Sequence, residues 1–186
     1  MPAPNLLTGT GLDVKKGWFD MASLDYSTKL ASAVTYAVPR GRTVFLDSDG
    51  NFRPGVHNTG VAIFLLNGSE DADVSNPGWG QPGSATAANF MHVAVAPTGK
   101  MSGIVATGGY EISTTEFDAT RSYVPGQLLT AAQSLSDVTV GGVLTNASAV
   151  QFVNPICGVV SSGKAKNHNG VQALSFWSVW LPGAAS

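Results

Sequence analysis

The chain has 186 residues, of which 12% are charged, with 22 Gly, 10 Pro and a formal net charge of −2. The charged share is about half the usual ~25%, while 44% of residues are hydrophobic. That excludes the charge-rich, apolar-poor class of disordered chains. Residues 1–60 carry six basic and five acidic groups, residues 61–120 one and six, and residues 121–186 three and one. No third holds the basic excess that phosphate contacts need, which argues against direct nucleic-acid binding.

From the N-terminus, residues 1–17 read as an extended arm. Pro2 and Pro4 oppose helix, Gly9, Gly11 and Gly17 interrupt regular structure, and Leu6, Leu7, Leu12 and Val14 give the arm something to bury. The opening residues lack the basic-then-apolar pattern of a secretory signal. The longest aliphatic or aromatic stretch, Val61 to Leu66, falls far short of the ~20 residues that span a bilayer. The expectation is cytoplasmic synthesis and no membrane partner.

Residues 18–38, with Trp18 and Phe19 at their start, are weakly β, and what little helix the chain has is expected at 18–36. Thr43 to Leu46 is a strand closed by a hairpin turn at Asp47-Ser48-Asp49-Gly50-Asn51. Thr59 to Leu66 is a continuous apolar, β-branched run of the kind buried on both faces. A long loop, about Ser69 to Ala87, follows, with Glu70, Asp71, Asp73 and the string Pro77-Gly78-Trp79-Gly80-Gln81. Loops of this length inside a domain are often functional. Further strands are expected at Phe90–Ala96, Ser102–Ala106, Tyr110–Ile112, Gln127–Thr130, Val138–Thr145, Ile156–Ser161 and Val171–Leu181. The last is apolar on both faces: Leu174, Phe176 and Trp180 on one, Ala173, Trp177, Val179 and Leu181 on the other. Such a strand is sandwiched within the fold or under a partner. The fold class is mainly β, a β-barrel or β-sandwich with an N-terminal arm and a long Gly/Pro/acidic loop. Residues 18–186 form the β-rich domain, as one unit or as two packed subdomains near 18–118 and 119–186.

Chemistry-bearing patterns are sparse. The lone Cys157 lies in an apolar run and reads as a buried small hydrophobe. His57, His92 and His168 lack metal-ligand spacing. Asp47, Asp49 and Asn51 fill the first three ligand positions of a calcium loop, but Phe52 stands where that loop needs Gly and Asn58 where it needs Glu. Neither a G-x-S-x-G elbow nor a P-loop occurs. No catalytic residue, cofactor or metal is therefore expected. Trp79 is a loop aromatic offered to a partner, or to a sugar framed by the nearby carboxylates. Lys164 and Lys166 belong to a polar hairpin tip, solvated or docked on an acidic patch.

The cadence Tyr123 to Thr130 (YVPGQLLT), Gly141-Gly142-Val143-Leu144-Thr145, then Ile156-Cys157-Gly158-Val159-Val160 resembles that of small β-barrel capsid decoration, or cement, proteins of tailed bacteriophages. The resemblance covers about the last 80 residues. It implies a non-enzymatic virion protein on the capsid exterior that stabilises contacts between major capsid proteins, as a homo-oligomer (trimer or dimer). The partner contacts then expected are Leu6, Leu7, Leu12, Val14, Trp18, Phe19, Trp79, Lys164 and Lys166. The competing readings are a tail, baseplate or fibre component, and a carbohydrate-binding β-sandwich.

Overall fold

The computed structural model describes residues 12–16, 28–39, 41–58, 60–69, 94–95, 100–106, 108–109, 111–146, 154–166 and 170–183. These residues are mainly β and include no helix. In chain order the strands are β1 (Leu12–Lys16), β2 (Val38–Pro39), β3 (Thr43–Leu46), β4 (Phe52–Pro54), β5 (Ile63–Ser69) and β6 (Ala94–Val95). There follow β7 (Lys100–Val105), β8 (Glu111–Thr114), β9 (Leu128–Ala131), β10 (Leu144–Asn146), β11 (Ile156–Lys166) and β12 (Gln172–Leu181).

Two antiparallel sheets result. The larger has the order β1-β8-β12-β11-β9-β10 and the smaller β4-β3-β5-β7; β2 and β6 pair separately. Neither is closed into a barrel. Two edges are instead covered by irregular chain. Leu144 of β10 bridges to Phe117, and Phe52 of β4 bridges to Leu30. Covered edges leave fewer backbone groups to pair with other chains.

Alternation along β5 divides the interior. Phe64 belongs to a core shared by the two sheets, with Ile112, Leu129, Leu144, Cys157, Val160, Leu174 and Phe176. Its ring meets Phe176 edge to face, centroids 5.2 Å apart, a favoured aromatic geometry. Ile63, one residue earlier, points into a second core with Leu30, Ala31, Val34, Val38, Val44 and Phe52. The small sheet is thus buried on both sides, by the large sheet and by residues 30–38. The double burial expected of the run at 59–66 holds at Ala62, Ile63 and Phe64, whereas Val61 is exposed.

Several local expectations meet the structure directly. The turn after β3 is organised by Asp47, whose Oδ1 accepts from the amides of Asp49 (3.0 Å) and Asn51 (2.8 Å). Gly50 there has φ of 76°, a conformation that favours glycine. Residues 12–16 of the predicted arm are β1, paired with β8 in register Leu12↔Thr114 and Val14↔Ile112. The rest of the arm, residues 18–27 and the Trp79 loop lie outside the described residues; of the helix expectation at 18–36, residues 28–36 are described and contain no helix.

Val138–Thr145 differs from its expected strand. Only residues 144–146 pair, as β10, and 138–142 form turns. Asp137 accounts for this. Its Oδ1 accepts from the amide of Thr139 (2.8 Å) and the Thr139 hydroxyl (2.6 Å), and its carbonyl accepts from the amides of Val140 and Gly141. Side-chain capture of this kind competes with ladder formation. Gly142, at φ 74°, completes the reversal. The same Asp-x-Thr bonding recurs at Asp118-Ala119-Thr120.

Candidate functional site

Among the described residues, Cys157 and His57 both pack within the fold. The Cys157 thiol is wholly buried and lies 3.6 Å from the carbonyl oxygen of Leu129. Burial pushes its pKa up to about 12, so it is not a thiolate at neutral pH. His57 stacks on Phe45 at 5.2 Å; His92 and His168 lie outside the described residues. Among the described residues no three His, Cys, Asp or Glu are grouped to hold a metal ion. No helix of the described residues is long and apolar enough to cross a membrane.

Among the described residues, Arg42 and Glu116 form the ion pair with both members well buried. The Arg42 Nε lies 2.5 Å from Glu116 Oε2, with the two side chains 8% and 17% exposed. One terminal nitrogen of Arg42 donates to the carbonyls of Val138 and Gly141, both at 2.6 Å. A buried guanidinium is tolerated when its donors are used in this way.

Tyr123 closes the corner before β9. Its hydroxyl donates to the carbonyl of Asp118 at 3.0 Å, five residues upstream, much as the tyrosine corner of immunoglobulin-like domains does. Burial pushes its pKa up to about 12, which keeps the donor proton in place. Lys164 reaches over the Tyr123 ring and donates to the carbonyls of Ala119 (3.1 Å) and Arg121 (2.8 Å).

The predicted contact residues therefore fall in different places. Leu12 and Val14 are on β1, at the margin of the large sheet. Lys164 ties down the 118–123 corner, and both it and Lys166 lie within β11 rather than in a tip. Lys166 is exposed. Leu6, Leu7, Trp18, Phe19 and Trp79 lie outside the described residues.

The structure brings together another set. On the face of the large sheet turned away from the shared core, Leu128, Val159 and Trp177 stand directly opposite one another across β9, β11 and β12. Trp177 is 39% exposed and Leu181, at the end of the same strand, 46%. Leu128, Val159 and Val179 are half-buried. Residues paired across strands share a face, so Leu128, Val159 and Trp177 form one apolar row, bounded on β8 by Glu111 opposite Trp177. The sequence signals Trp177, Val179 and Leu181 through the two-sided pattern of the last strand. Leu128 and Val159 carry no such signal, because only the register places them beside Trp177.

The features together define a mainly antiparallel β protein with a partly exposed apolar row on its larger sheet. No protein-family model, curated protein or solved structure matches the chain.

Proposed function

We propose that this chain is a non-enzymatic virion structural protein of a tailed bacteriophage, a decoration protein that binds the capsid exterior and stabilises contacts between major capsid proteins. In this reading the two sheets form a β-sandwich, the part of the arm ahead of β1 and the Trp79 loop supply partner contacts, and a dimer or trimer engages several sites at once. Avidity then holds a weak single contact in place. The protein is made in the host cytoplasm and resides on the virion.

The observation that supports this most is the row Leu128–Val159–Trp177. Exposed aromatic residues within an apolar patch are the usual anchors of protein interfaces. The capsid as partner comes from the C-terminal cadence; the row supplies a surface with which to meet it. Binding the assembled shell in preference to free subunits would stabilise the shell by mass action.

The test is co-sedimentation with capsids lacking the protein, followed by heating. Wild-type protein should bind and raise the temperature at which the shell opens. Trp177→Ser, folded by circular dichroism, should weaken binding about tenfold or more, as loss of a buried aromatic anchor does. If added protein neither binds nor protects the shell, the decoration reading is wrong and a tail or fibre role takes its place.

A further inference from the structure

Between β9 and β10, residues 132–143 leave the large sheet, cross to the small one and return. Their attachment there is mostly polar. The carbonyl of Leu135 accepts from the amide of Thr35 (2.9 Å) and that of Gly142 from the amide of Thr43 (3.0 Å). The carbonyl of Ser134 accepts from the Tyr36 hydroxyl (2.9 Å). Those of Val138 and Gly141 accept from Arg42, and Gln133 donates to the carbonyl of Val56 (2.7 Å). Leu135 adds a partly buried apolar contact to the second core, while residues 136–140 are exposed. Both ends stay anchored in the large sheet through Ala131 and Leu144, which pair with each other.

We propose that residues 132–143 are a releasable strap between the two sheets, latched by Arg42, which opens as a unit while the large sheet stays paired. Hydrogen bonds hold it where apolar burial holds the sheets, and each such bond adds little net stability against water. Segments with few buried apolar contacts open at lower free energy than the core. Glycine permits the tight seat. A Cβ on Gly141 would come within 2.6 Å of the Ser134 carbonyl oxygen, and one on Gly142 within 2.4 Å of that of Thr43. Release would expose Arg42, Glu116 and the flank of the second core, a surface hidden in the closed form. The inference is independent of the capsid reading.

Hydrogen exchange of the full-length chain, read residue by residue, tests it. The paired substitution Arg42→Met with Glu116→Gln removes the latch without leaving a lone buried charge. Amides of Thr35 and Thr43, whose acceptors are the strap carbonyls of Leu135 and Gly142, should exchange at least about tenfold faster, as loss of charge-assisted hydrogen bonds implies. Those within β11 and β12 should keep their wild-type rates. Equal acceleration in β11 and β12, or none at Thr35 and Thr43, overturns the proposal. Should the double variant not fold, Tyr36→Phe decides: it removes one bond at the other end and should quicken the Thr35 and Thr43 amides by a smaller factor, again sparing β11 and β12. No change at Thr35 and Thr43 in that variant also overturns it.

Discussion

The core shared by the two sheets has regular strands on both sides, whereas the second core has strands on one side and residues 30–38, irregular up to the start of β2 at Val38, on the other. The first joins residues distant in sequence, such as Phe64 and Phe176. The second draws mainly on residues 30–63. Both rest on β5, whose adjacent residues Ile63 and Phe64 face opposite ways. A small sheet buried on both sides thus couples two interiors that would otherwise be separate.

Truncation is the strongest way to break that coupling. Phe176→Ala should cost about 3–5 kcal/mol and Leu30→Ala about 2–5 kcal/mol. If β5 makes the two cores one cooperative unit, each variant lowers the midpoint of a single transition in chemical denaturation. A second transition appearing in Leu30→Ala alone would mean that the outer core melts by itself.

Overpacking sharpens the contrast. A Cβ on Gly158 would lie 2.6 Å from the Phe176 ring, in the shared core. A Cβ on Gly103 would meet the Ile63 side chain and come within 2.9 Å of the Phe64 carbonyl oxygen. Gly158→Ala and Gly103→Ala should each cost about 1–3 kcal/mol, measured as a shift in denaturation midpoint. Gly103→Ala should be the worse of the two, because it presses on backbone while Gly158→Ala presses on a ring that can tilt.

The smallest effect has the opposite sign. Thr43 is fully buried in β3, and its hydroxyl has no better hydrogen-bond partner than the neighbouring Cys157 thiol, which is a weak one. A poorly paired buried hydroxyl is costly, and Val keeps the branched shape. Thr43→Val should therefore raise stability by about 1 kcal/mol, seen as a higher midpoint at unchanged denaturant slope. A loss of stability would show that the contact with the thiol outweighs that cost.

Sequence made the β class, the Asp47 turn and the inward face of the last strand legible, because each depends on neighbours along the chain. Leu174 and Phe176 are fully buried, and Trp180 packs against the shared core, on the face that alternation assigns them. The run at 138–145 misled, since its alternating valines imitate a strand while Asp137 and Gly142 turn the backbone. Val138 and Val140 end up exposed. The apolar row was half legible, because joining residues 128, 159 and 177 requires a register that no local pattern encodes. Lys164 looked like a free cation because sequence cannot show the carbonyls of Ala119 and Arg121 folding back to meet it.

The strand order of the large sheet also dictates when it can exist. Its interior strand β12 lies between β8 and β11, yet it is the last of the sheet's strands to be synthesised. Until it emerges, β1–β8 and β11–β9–β10 are separate pieces, each with an apolar side and an unmatched edge. The hairpin of β11 and β12 is the one local pairing able to join them, and its completion brings together stretches some 60 residues apart (β12 with β8, Leu174 to Thr114). Assembly is therefore a late event, governed by closure of long loops and slow on the scale of small helical proteins. For a nascent chain the exposed interval falls between making β8 and finishing β12, when a half-built sheet is most open to wrong partners.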